Sequence, residues 1–198
     1  MSLGYGTDYE AYLLKKIAQK ICQKYRIKSV LEFPKTNLLG EGAIFPKTKE
    51  SSPDLVWNFC EFEQTIDSHG FAKKIADLAD KYALVITQNY FNPGVLIHWM
   101  FHCLSGKKWD HGQLRKMSGL AIRQAFLKAK IWKIKEFSAF DIPWFILDVY
   151  ETGKYFRHLP FLKHKIKTIK ESRFESWPLI FRLWLGHHHY LLFKKQIP

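Results

Sequence analysis

Cysteine is scarce in this chain of 198 residues, and Cys22, Cys60 and Cys103 stand far apart. An odd count without paired spacing excludes a dense disulfide framework and argues against a zinc ribbon. Long apolar runs are missing as well, since no stretch approaches the roughly 20 uncharged apolar residues that span a bilayer. The chain does not open with a basic segment followed by an apolar one, so no signal peptide is visible. We therefore expect a cytoplasmic protein without an integral membrane segment.

Acidic residues are outnumbered, with 18 Asp and Glu against 31 Lys and Arg, which gives a formal charge of +13. The excess is concentrated after residue 153 and includes a basic run of four lysines, Lys163, Lys165, Lys167 and Lys170. Such a run is either a solvated face or a contact with phosphate, so nucleic acid or another acidic surface is an expected partner. The other reading is that the basic surface only keeps the protein soluble.

Composition and length favour one domain over residues 1–198, because 47% hydrophobic and 25% charged residues are ordinary globular values. An N-terminal helix is expected within residues 1–27, and a basic, aromatic insertion or lid at 150–180. Helical spacing of apolar residues predicts helices at 8–25, 70–80, 95–104 and 118–129. Short apolar runs predict strands at 29–33, 54–59 and 83–87; an alternating pattern predicts one at 131–137, and a closing strand is expected at 183–194.

Continuous apolar strands that alternate with helices indicate a parallel sheet covered on both faces. In that architecture ligands bind at the carboxyl ends of the strands. Polar residues follow each of the first three predicted strands, at 32–37, 58–61 and 88–92. We expect these three groups to lie together at one edge of the sheet.

Several segments together resemble class I S-adenosylmethionine-dependent methyltransferases, and within them a poorly characterised, largely archaeal group. The segments are VLEFP (30–34), PDLVWNFCEFEQTID (53–67), KYALVITQNYFNPGV (81–95), KKWDHGQLRKMS (107–118) and FSAFDIPWF (137–145). The resemblance covers about residues 5–150. It implies a Rossmann-like three-layer αβα sandwich, whose sheet is mostly parallel with an antiparallel C-terminal strand. It also implies S-adenosylmethionine as cofactor and methyl transfer to an acceptor that the sequence does not identify.

The resemblance assigns positions to the cofactor site. Glu32 would end the first strand, and the backbone of residues 34–42 would border the cofactor. After the fourth strand of the family's sheet, further residues would lie beside the methionine part and the reactive methyl. The implied cofactor-binding residues are Glu32, Pro34, Asn37, Gly40, Gly42, Asn58, Phe59 and Cys60, and those on the acceptor or lid side are Asn89, Trp109 and Trp144.

The chemistry requires few catalytic side chains. Methyl transfer from a sulfonium is an in-line displacement, for which alignment in a dry pocket supplies much of the acceleration. No catalytic residue is assigned on this basis. Asp110 and His111 are the candidates for an acid/base pair, and the alternative is that Asp110 orders the loop by holding the imidazole.

Two features depart from the family pattern. Pro34-Lys35-Thr36-Asn37 replaces the glycine-rich loop, and the nearest glycines are Gly40 and Gly42. From position 32 to position 54 there are only 22 positions, whereas two helices and two strands need on the order of 50 residues. Either the chain lacks part of the cofactor site, or the sequence omits a stretch between about Gly42 and Pro53.

No metal site is expected. His187, His188 and His189 are adjacent in a predicted strand, where neighbouring side chains point to opposite faces and cannot all bind one ion. Two functional alternatives to the enzyme are open. One is a non-catalytic domain of the same fold that binds RNA or a protein through the basic C-terminal region. The other is a peripheral membrane or lipid-acting protein.

Overall fold

The computed structural model describes residues 8–33, 52–106, 108–109, 111–140 and 176–196. Its elements, in chain order, are α1 (Asp8–Tyr25), β1 (Val30–Glu32), β2 (Leu55–Phe59), α2 (Ser68–Leu78), β3 (Tyr82–Gln88), α3 (Pro93–Leu104), a 3-10 turn (Leu114–Met117), α4 (Gly119–Lys128), β4 (Trp132–Phe140), α5 (Leu179–Leu185) and β5 (His188–Lys195).

The five strands form one mixed sheet in the order β1-β2-β3-β5-β4. Strands β1, β2 and β3 are parallel, whereas β5 is antiparallel to both β3 and β4. Four strands therefore run in one direction and only the last strand of the chain opposes them. This confirms the predicted α/β class, with a mostly parallel sheet and an antiparallel C-terminal strand.

Helices cover both faces of the sheet. On one face, α1 places Leu14, Ile17 and Ile21 against the β2 residues Leu55 and Trp57, all of them buried. On the other face, α2 and α4 pack on the opposite side chains of the same strands, with a buried set that includes Val56, Ala72, Ile75, Val85, Ile122 and Phe126. Because β2 is buried on both faces, its whole length is apolar except Asn58, as expected for a central strand.

Strand β4 is an edge strand of the described sheet, and its sequence shows it. Lys133 and Lys135 are exposed while Trp132 and Ala139 are buried, so one face is solvated over the first half of the strand. The predicted alternation at 131–137 is confirmed, and the strand continues to Phe140.

Strand β1 lies at the other edge of the described sheet. In a doubly wound sheet of order 3-2-1-4-5-6 the second and third strands lie beyond the first. Here the chain goes from β1 to its neighbour β2 through residues 34–51, which fall outside the described residues. Both explanations of the short connection therefore stay open.

The closing strand begins later than predicted. Residues 183–185 belong to α5, and β5 starts only at His188. Pro178 precedes α5 and Gly186 follows it, so both ends of this seven-residue helix carry typical boundary residues. The prediction was wrong there because a short apolar run fits a strand or a helix equally well.

Among the helices that the structure describes, none combines the length and the apolarity that crossing a membrane requires.

Candidate functional site

The carboxyl ends of the parallel strands meet at one edge of the sheet, which we call the carboxyl edge. It is formed by the residues that directly follow or end the strands, Phe33, Cys60, Asn89 and Phe140, and by the residue that precedes β5, His187. The polar groups predicted after the first three strands come together here, as far as they fall within the described residues.

Asn58 fixes the end of β1. Its side chain is fully buried, and Nδ2 donates to the carbonyl oxygen of Phe33 at 2.8 Å. The amide of Phe33 in turn donates to the carbonyl oxygen of Trp57 at 2.9 Å. Asn58 therefore holds the first residue after β1, where the resemblance places the cofactor loop. Its Oδ1 atom accepts no hydrogen bond from any described residue.

Cys60 turns the chain sharply after β2. Its φ of 51° lies in the left-handed region, and its amide donates to the carbonyl oxygen of Ile86 at 2.8 Å. A left-handed conformation costs a residue with a side chain about 1 kcal/mol, so the surrounding contacts must hold it. The thiol is buried. Phe59 and Cys60, both predicted beside the methyl group, thus lie at the carboxyl edge but within the packed interior.

A cavity of about 400 Å³ lies between Phe33 and the segment 61–74, and Glu32, Asn58, Phe59 and Cys60 are not among its described lining residues. Its volume lies within the range of small-molecule sites. Phe33 and Phe71 contribute an aromatic wall, with ring centroids 5.9 Å apart. Asp67 caps α2 by accepting from the amides of His69 and Gly70, and the bond from Gly70 contributes most to the lowered pKa of this carboxyl. The described lining residues are Phe33, Glu61, Gln64, Thr65, Asp67, Gly70, Phe71 and Lys74.

Glu63 is a fully buried carboxyl just after β2. Burial raises its pKa from 4.5 to about 7. The Cys60 thiol, the backbone amides of Glu63 and Gln88 and the charge of His188 favour the ionised form, but their effects are smaller. Neither carboxyl oxygen makes a well-formed hydrogen bond to a described residue. A carboxyl of this kind exchanges its proton near neutral pH. No sequence pattern indicates a role for Glu63.

The adjacent histidines are divided between the two faces of β5. The ring of His188 stacks on Phe140 at 5.6 Å and lies 5.3 Å from Phe59. On the other face, Nε2 of His189 lies 2.9 Å from Oγ1 of Thr87. Burial is the main cause that lowers the pKa of His189 to about 3. His189 is therefore a neutral packing residue at physiological pH.

Asn89 connects β3 to α5. Its Nδ2 donates to the carbonyl oxygens of Leu183 and Gly186 at 2.6 and 2.9 Å, and the side chain is buried. Nearby, Nδ2 of Asn92 donates to the carbonyl oxygen of Leu185 at 2.9 Å. The resemblance implied an acceptor-side role for Asn89, but its amide is used to hold the carboxyl end of α5.

A second cluster of imidazoles lies on α3 and the segment after it. Nε2 of His98 is 3.1 Å from Nε2 of His111 and 3.1 Å from Nε2 of His102. The Trp109 ring packs against all three imidazoles, with centroids 4.6 to 5.7 Å away. The structure thus joins the predicted residues Trp109 and His111 to two histidines that were not predicted. The spacing of four between His98 and His102, which puts both on one helix face, was the available signal.

Gly112 joins this cluster to the carboxyl edge. Its φ is +92°, and an added Cβ would lie 2.8 Å from Cγ and 2.9 Å from the carbonyl carbon of Glu63. The Trp109 indole donates to the carbonyl oxygen of Gly112 at 2.6 Å. The backbone amide of Gln113 donates to the backbone carbonyl oxygen of Glu63 at 2.9 Å. The residue after His111 therefore packs directly on Glu63.

The remaining sequence predictions stay predictions. Glu32 ends β1 as expected and is half-buried. Pro34, Asn37, Gly40, Gly42, Asp110, Trp144 and the lysines at 163, 165, 167 and 170 lie outside the described residues, as does most of the expected lid at 150–180. No observation bears on a nucleic-acid partner.

No family model matches this sequence, and no curated protein matches it. Several solved structures resemble the chain, among them the following two. A SAM-dependent methyltransferase from Archaeoglobus fulgidus is 11% identical, with a TM-score of 0.43 over 92% of this chain and 82% of that chain. A cyclopropane-fatty-acyl-phospholipid synthase-like protein from Lactobacillus casei ATCC 334 is 8% identical, with a TM-score of 0.36. That match covers 74% of this chain, which spans only 57% of the Lactobacillus chain. The fold assignment therefore rests on the chain's own strand order and layers.

Proposed function

We propose that this protein binds S-adenosylmethionine at the carboxyl edge and transfers its methyl group to an acceptor. The observation that carries the proposal is the cavity of about 400 Å³ lined by Phe33, which follows β1, and by residues of the loop after β2 and of α2. The resemblance places the cofactor at the ends of these two strands. In open α/β sheets ligands occupy the crevice beyond the carboxyl ends of the strands.

The surrounding residues suit a cofactor that must be held and aligned. Asn58 and the buried turn at Cys60 do not line the cavity, but their hydrogen bonds hold Phe33 and the start of the loop that does. Phe33 and Phe71 supply apolar area, while Glu61 and Asp67 supply carboxylates that can accept hydrogen bonds from hydroxyl or ammonium groups. Holding the sulfonium in a dry, fixed geometry supplies much of what an in-line displacement needs.

The test is calorimetric titration of the protein with S-adenosylmethionine and with S-adenosylhomocysteine. Gln64→Trp places a large ring in the cavity and is expected to weaken binding at least 10-fold. Gln124→Trp adds the same ring on the exposed surface of α4 and serves as the matched control. Absence of binding to the unaltered protein at millimolar cofactor, or equal binding by both variants, would refute the proposal.

Transfer itself is measured as S-adenosylhomocysteine formed in the presence of separate acceptor classes, with small phenols, peptides and RNA as the first three. Binding without product in any class would favour a non-catalytic domain of the same fold. The acceptor is then the class whose addition raises product formation, and Gln64→Trp is expected to abolish that rise.

A further inference from the structure

The Nε2 atom of His98 lies close to the Nε2 atoms of both His102 and His111. The two Nε2–Nε2 distances from His98 are both 3.1 Å, and one ligand atom from each residue lies within 4.8 Å of the others. His98 and His102 come from one face of α3, and His111 comes from the segment that follows. Within the described residues, this is the group of histidine, cysteine and acidic side chains whose geometry suits a metal ion.

The tautomer of His102 is determined by its other nitrogen. Nδ1 of His102 lies 3.0 Å from the carbonyl oxygen of Lys108, which can only accept a hydrogen bond. Nδ1 therefore carries the proton, and the Nε2 of the neutral ring presents a lone pair to His98. Metal-binding histidines commonly donate their second nitrogen to a backbone carbonyl in this way.

A metal cation suits these three nitrogen atoms better than a shared proton does. Nε2 of His98 faces two other Nε2 atoms at 3.1 Å, but a single proton on it can make only one good hydrogen bond. The other contact would then hold two nitrogen atoms 3.1 Å apart with no proton between them, and without a proton on His98 its lone pair would face that of His102. A cation between the rings accepts all three lone pairs at once, which removes the conflict.

We propose that His98, His102 and His111 bind one zinc ion through their Nε2 atoms. Zinc takes imidazole ligands at about 2.0–2.1 Å in a tetrahedron, which sets neighbouring nitrogen atoms roughly 3.3 Å apart. The two separations from His98, both 3.1 Å, are close to that value, and the ligand atoms of His102 and His111 lie within 4.8 Å of each other. Imidazole ligands also suit copper and nickel, and zinc is favoured because three histidines are a ligand set typical of zinc sites that keep a fourth position open. The Trp109 ring forms an apolar wall beside the ligands.

Bound zinc would cross-link α3 to the segment that carries His111. Because Gly112 packs on Glu63, the ion would also stabilise the loop that covers this buried carboxyl. The site does not depend on the proposed cofactor, so zinc binding and S-adenosylmethionine binding are tested separately and can fail separately.

The first experiment measures zinc stoichiometry and affinity after chelator treatment of the whole protein, by elemental analysis and by competition with a chromophoric chelator. One zinc per chain is expected. His98→Ala, His102→Ala and His111→Ala should each weaken binding about 100-fold or more, beyond the 10–100-fold typical of outer-shell losses. His69→Ala is the matched control, since His69 is exposed on α2 and lies outside the cluster.

The second experiment needs no variant and so does not depend on whether an alanine substitution folds. X-ray absorption at the zinc edge of the unaltered protein should show three imidazole ligands at about 2.0–2.1 Å. Retention of tight one-to-one binding by all three alanine variants would overturn the proposal. So would a zinc spectrum with fewer than three imidazoles, or binding no tighter than that of an unfolded chain.

Discussion

Glu63 should make the stability of this protein fall as the pH rises through neutrality. Burial raises the carboxyl pKa from 4.5 to about 7, and the side chain is fully buried. Below pH 4.5 the group is neutral in both states, so it imposes no electrostatic cost. Between pH 4.5 and about pH 7 the unfolded chain releases the Glu63 proton while the folded chain keeps it. The free energy of unfolding then falls by up to about 1.4 kcal/mol per pH unit.

The magnitude follows from the two pKa values. A rise from 4.5 to about 7 corresponds to about 3 kcal/mol of stability lost once the pH exceeds the folded-state value. In Glu63→Gln the side chain keeps its shape and stays neutral at every pH. Its amide is left without described partners and costs roughly 1–3 kcal/mol, but that cost does not vary with pH.

The assay is urea unfolding of both proteins at pH 5 and pH 8. The difference in unfolding free energy between Glu63→Gln and the unaltered protein should change by about 2–3 kcal/mol in favour of the variant at pH 8. Buried His189, whose pKa is lowered to about 3, destabilises the fold as the pH falls below 6.5. That effect is present in both proteins and cancels.

Asp77→Asn is the control, because Asp77 is exposed on α2. It removes an exposed carboxylate and leaves Glu63 in place, so the loss of stability between pH 5 and pH 8 that Glu63 causes should persist in this variant. Parallel stability curves for the unaltered protein and Glu63→Gln would refute the reasoning. A carbon-13 titration that puts the Glu63 carboxyl near 4.5 would do the same.

Three further substitutions, one of them a control, test the packing around the carboxyl edge and the attachment of α1. Gly112→Ala should destabilise by more than about 3 kcal/mol, because it combines a left-handed φ of +92° with a Cβ placed 2.8 Å from Glu63. Gly106→Ala has a φ of +66° and nothing within 4 Å, so thermal unfolding should show a loss of only about 1 kcal/mol. Equal losses would contradict the contact with Glu63. Tyr190→Phe removes a 2.6 Å hydrogen bond to Glu136 and should cost about 1.5–3 kcal/mol in urea unfolding. A change below about 0.5 kcal/mol would show that this bond contributes little.

The Glu136 bond matters because it belongs to a group that ties α1 to the edge strand. Lys24 and Tyr25 of α1 also donate to Glu136. Burial raises the pKa of Glu136, but the hydrogen bonds from Lys24, Tyr190 and Tyr25 outweigh it and hold the pKa below its ordinary value. The hydrogen bonds that Lys24, Tyr25 and Tyr190 donate to Glu136 should weaken in acid, once the carboxylate is protonated.

The sequence predicted the main elements because their patterns are strong. The apolar runs at 54–59 and 83–87 have no hydrophilic face, and their short length favours strands buried on both sides. Strands β2 and β3 lie within one residue of those bounds. Helix α1 matches its predicted span. The boundary between α5 and β5 was not predictable, because Leu183 to Leu185 carry no period of their own.

The candidate site was predicted only in outline. Strand ends are visible in a sequence, so the gathering of Asn58, Cys60 and Asn89 at one edge followed from parallel pairing. The direction in which each side chain points did not follow from parallel pairing. Asn58 and Asn89 look like ligand contacts in the sequence, but in the structure their amides hold backbone carbonyls.

What the sequence by itself determined is therefore the layer architecture and the edge at which the polar strand ends gather, because periodicity and chain direction are local properties. Only the tertiary structure decided the chemistry. Glu63 lies in a loop with three acids in seven residues and gives no sign of burial; the packing of Gly112 buries it and raises its pKa. His98 and His102 share a helix face, but their third partner, His111, reaches them only because the following segment folds back. Desolvation and convergence of distant residues arise from three-dimensional packing, and no local pattern encodes them.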